Sequence, residues 1–243
     1  MEQQLIPDII YASANPQALV LQMSADHERE TIAPELKHLQ TFTSVPFVLC
    51  RVEVSDWNAG LSPWQAPPAF GKENFAGKAA CTLAQLKENI LPRLQAQYGT
   101  LPVCLAGYSL AGLFALWAAT QTNLFSRIAA ASPSVWFPGW IAFAEQHPLQ
   151  AQALYLSLGD REDRSRIPML REVKNCIIRQ NELAGNQGIS HILEWNEGTH
   201  FNHPDRRTAR AIAWCLNEGT EQTTDKQNNY DQTGTIHPCH SAD

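Results

Sequence analysis

Residues 103–116 read Val-Cys-Leu-Ala-Gly-Tyr-Ser-Leu-Ala-Gly-Leu-Phe-Ala-Leu. Val103 to Ala106 form a short apolar run ending at Gly107, as expected of a strand buried on both faces of a parallel sheet. Leu110, Leu113, Phe114 and Trp117 then recur at helical spacing. Ser109 falls at the junction. A sharp strand-to-helix turn lifts a serine hydroxyl out of the sheet, and a helix N-terminus favours negative charge developing beside it. Small residues at 107 and 111 let strand and helix approach closely. The pattern that carries this chemistry elsewhere has glycine two residues after the serine; here Ala111 stands there and Gly112 follows. The reading is a nucleophilic serine on a strand–turn–helix unit, set against a serine in an ordinary turn.

The rest of the chain is read outward from that unit. Its 243 residues suit one α/β domain. With 44% apolar and 17% charged residues there is ample material for a core. A net charge of −6 argues against nucleic acid or an anionic membrane surface as the main partner. Residues 1–8 lack a basic region followed by an apolar core, so no secretory signal is expected, and no apolar run is long enough to span a bilayer. Cys50, Cys81, Cys104, Cys176, Cys215 and Cys239 are scattered without a Cys-x-x-Cys pair. A reducing cytoplasm is the expected setting, and neither structural zinc nor another metal is expected.

Residues 18–24 and 46–54 read as strands, with a crossover helix over 32–39 between them. Residues 82–98 carry Leu83, Leu86, Ile90, Leu91 and Leu94 on one helical face, and Pro92 should kink or end that helix. Strands follow at 127–132, 153–159 and 189–195, a helix at 168–186, and a last helix ends near Leu216. Strands alternating with helices imply a mostly parallel sheet with helices on both faces. The segment 56–80, rich in Gly, Pro and aromatic residues, is expected to be irregular, and its stretch 57–77, with Trp64 and Phe70, to form a wall or lid over the Ser109 pocket. The alternative is a packed surface loop. Residues 1–219 then make a single domain, and the polar segment 220–243 is expected to be a disordered tail.

A serine needs a base, and the base an orienting acid. On an open parallel sheet these sit on loops after strands, in the chain order serine, acid, histidine. The order is reproduced by Ser109, the acidic loop 160–163, and His200 after the last strand. Strand C-terminal ends share one rim, so these residues can meet. His200 follows Gly198-Thr199 at a strand-to-helix turn, a placement that His27, His38, His147 and His191 lack; His203 is its competitor. Asp160, Glu162 and Asp163 all remain candidates for the acid, as does a serine–histidine dyad without one. Two backbone N–H groups should receive the developing oxyanion: that of Leu110, and one from the turn 24–26, where Ala25 is the candidate. Tyr108, adjacent to the serine, is a candidate for contact with substrate.

The chain resembles the small serine esterases of the α/β-hydrolase superfamily related to esterase D and the enterochelin-esterase-like hydrolases. The resemblance rests on Gly-Tyr-Ser-Leu-Ala-Gly-Leu-Phe-Ala at 107–115, Ala-Ser-Pro-Ser-Val-Trp-Phe-Pro-Gly at 131–139, Ser-Leu-Gly-Asp-Arg-Glu-Asp at 157–163 and Glu-Gly-Thr-His-Phe at 197–201. It implies the α/β-hydrolase fold, Ser109 as nucleophile, His200 as base and Glu162 as the acid. It also implies that Ser134 and Trp136 line the pocket, with a small-molecule ester as substrate and no cofactor. An acyltransferase on the same fold, or a catalytically idle binding protein, are the competing expectations. The oligomeric state is left open.

Overall fold

The computed structural model describes residues 5–69 and 71–231. In chain order they form β1 (Leu5–Ala12), β2 (Ala18–Ser24), α1 (Ile32–Phe42), β3 (Phe47–Val54), α2 (Trp57–Leu61), β4 (Gln65–Ala66), β5 (Phe75–Ala76) and α3 (Ala79–Gln85). There follow α4 (Leu91–Tyr98), β6 (Val103–Tyr108), α5 (Leu110–Gln121), β7 (Arg127–Ala131), α6 (Trp140–Gln146) and β8 (Ala153–Gly159). The chain closes with α7 (Pro168–Arg171), α8 (Val173–Asn186), β9 (Ser190–Asn196) and α9 (Pro204–Asp231).

Among the described residues, seven strands make one sheet in the order β1-β3-β2-β6-β7-β8-β9. All neighbours pair in parallel except β1 with β3. This is the expected α/β architecture. The antiparallel edge strand β1 gave no sequence signal, because Pro7 and Asp8 interrupt its pattern and most of its side chains face solvent. Proline is tolerated there because an edge strand need not donate on both sides.

The period-two alternation of a strand divides the core in two. On β6, Val103 and Leu105 face the layer that holds Leu83, Leu91, Phe114, Phe137 and Trp140. Cys104, Ala106 and Tyr108 face the opposite layer, with Leu39 of α1 and Ile212 and Leu216 of α9. Helix α5 is buried through its whole run from Leu110 to Ala119. That matches a helix apolar on every side, which belongs inside a domain.

The expected helix over 82–98 is broken more gently than a kink. Helices α3 and α4 are joined by a π-helical turn over Leu86–Ile90, in which the Leu91 N–H reaches back to the Leu86 carbonyl. Pro92 lies in the first turn of α4. Proline cannot donate to a carbonyl one turn back, and the wider turn takes up that mismatch before the next helix starts. Helix α9 continues to Asp231, past the Gly219 boundary read from the sequence, because Glu, Gln, Lys and Thr there do not stop a helix. Residues 232–243, the rest of the expected tail, and with them Cys239, lie outside the described residues.

The segment 57–77 is more ordered than expected. It holds α2 and the two-residue ladder of β4 with β5. The Ser62 hydroxyl donates to the Asn58 carbonyl (2.7 Å) and accepts from the Gly77 N–H (2.9 Å). Trp64 Nε1 donates to the Pro138 carbonyl (2.9 Å), and its ring lies against Phe137 and Phe143 at 5.7 and 5.2 Å between centroids. Phe75, buried, packs on Phe137 at 5.1 Å. These contacts seat the segment against residues 136–143, which favours the packed-loop reading over a wall or lid. Phe70 lies outside the described residues. Trp64→Ala is accordingly expected to cost about 2–4 kcal/mol of stability, read as a shifted denaturant midpoint. Ester chain-length preference should hold. An altered preference at unchanged stability would restore the lid.

Candidate active site

The sheet changes direction between β2 and β6. From β2 the chain moves outward to β3, and from β6 it moves the other way to β7. Loops leaving the strand C-terminal ends at such a switch point open a crevice. Register brings the loops that hold Ser109, Glu162 and His200 to this rim: Tyr108 pairs with Ala131, Ala131 with Ser157, and Gly159 with Asn196.

Ser109 takes φ 57°, ψ −120° between β6 and α5. Left-handed φ is costly for a residue with a Cβ and persists where the surroundings enforce it. Here the Ser109 N–H donates to the Ala131 carbonyl (3.1 Å), and its own carbonyl accepts from Leu113 (3.1 Å) and Ser134 (3.0 Å). A Cβ on Gly107 would lie 2.6 Å from the Ala111 methyl and 2.4 Å from the Ala111 carbonyl carbon. Alanine at 111 is therefore compatible with the turn because position 107 has no side chain. As first residue of α5, Leu110 has an N–H that the helix itself leaves without a partner.

Glu162 and His200 meet as expected, with His200 Nδ1 2.8 Å from Glu162 Oε2. The Glu162 side chain is 5% exposed, and its other oxygen, Oε1, accepts from the Gly159 N–H (2.7 Å), from Arg207 Nη2 (2.8 Å) and from the Ser132 hydroxyl. Burial alone would raise its pKa. The hydrogen bond and charge of His200, the Ser132 hydroxyl and the Arg207 guanidinium outweigh burial and bring it from 4.5 down to about 2. The carboxylate is thus held ionised. Gly198, at φ +107°, lets the histidine turn close over Asn202, whose side chain accepts from the Thr199 N–H at 2.7 Å.

The other acids are used differently. Asp160 Oδ1 accepts from the Gly198 N–H (2.8 Å) and so fastens the backbone of the histidine turn, while Asp163 Oδ1 is buried with no partner among the described residues. His203 is exposed at the start of α9, where its carbonyl accepts from the Arg207 N–H (3.1 Å). Ser109 Oγ lies 3.3 Å from Ser134 Oγ. Among the described residues no hydrogen bond joins Ser109 to His200. Trp136 is half-buried against Phe75, 6.5 Å between centroids.

One expectation is corrected. The Ala25 N–H donates to Glu28 Oε2 (2.8 Å), so it is committed within its own turn and is not offered to an oxyanion. A Glu three residues into a helical turn that reaches back to the preceding N–H is a common way to satisfy that donor. Alternation along β6 turns Tyr108 toward α9, with its ring 5.1 Å from that of His200. Its hydroxyl donates to the His200 carbonyl (2.6 Å), and burial pushes its pKa up to about 12. Sequence reasoning missed Ser132 and Arg207. Arg207, 2% exposed, donates to the Ser132 hydroxyl and Glu162 and lies over the Tyr108 ring at 5.4 Å.

Among the described residues no three His, Cys, Asp or Glu side chains gather as a metal site requires, and no helix is long and apolar enough to cross a membrane. Cys50, Cys81, Cys104, Cys176 and Cys215 are free thiols.

A family profile described as "Putative esterase" matches residues 36–211. The fold is similar to that of the siderophore hydrolase EstA from Aspergillus nidulans, with TM-score 0.64 and 19% identity over 89% of this chain and 90% of that one. An IroE-like serine hydrolase from Shewanella oneidensis gives TM-score 0.69 and 16% identity over 96% and 81% of the two chains. The enterobactin esterase FES from Shigella flexneri gives 0.60 and 14% over 91% of this chain and 60% of that one. At these identities the likeness is one of fold. No curated protein matches the chain. The profile spans well over half of the residues, and with it the chain belongs to the esterase family: it is a carboxylic ester hydrolase with an α/β-hydrolase fold.

Proposed function

We propose that Ser109, His200 and Glu162 form a catalytic triad that cleaves a small-molecule carboxylic ester through an acyl-enzyme. The observation that carries this is the 2.8 Å bond from His200 Nδ1 to a buried, ionised Glu162, on the same rim as the Ser109 turn. With Nδ1–H given to Glu162, Nε2 is the lone-pair nitrogen that can take the serine proton. Ser109 Oγ attacks the carbonyl carbon as its proton passes to His200. The Leu110 N–H receives the oxyanion at the N-terminus of α5. Collapse breaks the bond to the alcohol, which leaves with the proton from His200. Water, deprotonated by His200, then attacks the acyl carbon and releases Ser109 and the acid. The hydroxyl at 109 rotates from Ser134 toward Nε2 as substrate binds, in keeping with catalytic hydrogen bonds that tighten only in the complex.

Ser134 and Trp136 form the pocket wall in this reading, Ser134 through its hydroxyl beside the nucleophile. The names of the structural neighbours make siderophore esters the first physiological substrates to try. A fluorophosphonate labels an activated serine without knowledge of substrate, so it is expected to label the wild type at Ser109 and leave Ser109→Ala unlabelled. A wild type that resists labelling would overturn the reading. A panel of p-nitrophenyl esters of rising chain length then sizes the acyl pocket. Faster transfer to an added alcohol than to water would reassign the chain to acyl transfer.

A further inference from the structure

We infer that Arg207 is a positioning residue for ester cleavage: its guanidinium fixes which oxygen of Glu162 faces His200. The inference rests on the triad proposed above.

Arg207 reaches the site from α9, and its fork touches each of the other parts. Nη2 donates to Glu162 Oε1 (2.8 Å) and to the Ser132 hydroxyl. Nη1 lies 3.3 Å from the Thr199 carbonyl, in the turn that ends at His200. The guanidinium covers the ring of Tyr108, whose hydroxyl holds the His200 carbonyl. Oε1 of Glu162 is therefore saturated by Arg207, Ser132 and the Gly159 N–H, which leaves Oε2 for the imidazole. A planar fork with fixed N–H directions does this where a point charge on a flexible stem does not.

The guanidinium is also the buried cation that touches the carboxylate: with the hydrogen bonds from His200 and Ser132, its charge keeps Glu162 ionised against burial.

The test is kcat and KM for p-nitrophenyl acetate in wild type, Arg207→Met and Arg207→Lys, each normalised to the fraction titrated by fluorophosphonate. Arg207→Met is expected to lower kcat by about 10-fold to 100-fold with KM nearly constant. Arg207→Lys keeps the charge without the fork, so kcat should fall by about 3-fold to 10-fold. A folded Arg207→Met with wild-type kcat overturns the inference. If Arg207→Met does not fold, Arg207→Lys decides: an unchanged kcat overturns it. Ser109→Ala and His200→Ala run alongside, and activity retained in those would count against the triad itself and not against the role of Arg207.

Discussion

Ser109→Ala is expected to lower hydrolysis of a p-nitrophenyl ester by about 10⁴-fold or more, because the members of such a site act as a unit and the remaining two have nothing to activate. Stability should stay where it is. The side-chain contact that the hydroxyl makes is a 3.3 Å approach to Ser134 Oγ, and alanine bears the same left-handed φ of 57° as serine does. Initial rates and a denaturant midpoint on one preparation check both halves. A variant that keeps a tenth of wild-type activity removes Ser109 from the role of nucleophile.

The second large effect belongs to Glu162→Gln, and it should appear in two measurements at once. Activity is expected to fall by about 10³-fold or more, since a neutral amide neither orients His200 Nδ1–H reliably nor stabilises the imidazolium. Stability should fall by about 3–5 kcal/mol, because Arg207 would stay buried without its counter-charge. The pH dependence follows from the same bond. A carboxyl held at about 2 in the folded chain, against an ordinary 4.5, contributes stability that is complete above 4.5 and is lost as pH falls toward about 2. Wild type should therefore lose about 3 kcal/mol across that interval, and Glu162→Gln should lack that part of the slope. If Glu162→Gln remained within about threefold of wild type while Asp160→Asn was severely impaired, the acid would be reassigned to Asp160.

What the sequence made legible is what is local. The apolar run 103–106, the small residue at 107 and the helical spacing after Ser109 all lie within one strand–turn–helix unit. Neighbouring side chains decide that conformation, so periodicity can find it. The order serine, acid, histidine was legible because a parallel sheet converts chain order into position along one rim. Arg207 was not, because it lies in an ordinary helical stretch and takes its meaning from Ser132, Glu162 and Thr199, three loops that only the folded sheet brings together. Ala25 was misread for a related reason: sequence places its turn at the rim, but the direction of one N–H was decided by the Glu28 carboxylate. In 57–77, glycine and proline announced irregular backbone correctly in part. They said nothing of Trp64 and Phe75 as anchors, since an aromatic residue in a loop reads alike whether it lines a pocket or fills a core.

The contact between Gly107 and Ala111 bears on how such chains are recognised and altered. The gap between β6 and α5 admits a methyl group on the helix side and none on the strand side. What the junction holds constant is the bare backbone at 107, so a search that demands glycine at 111 as well passes over chains like this one. A methyl moved from 111 to 107 would meet the Ala111 carbonyl carbon at 2.4 Å, which is backbone and cannot rotate aside. Ala111→Gly should therefore be a tolerated step for a lineage, and Gly107→Ala a forbidden one whatever stands at 111.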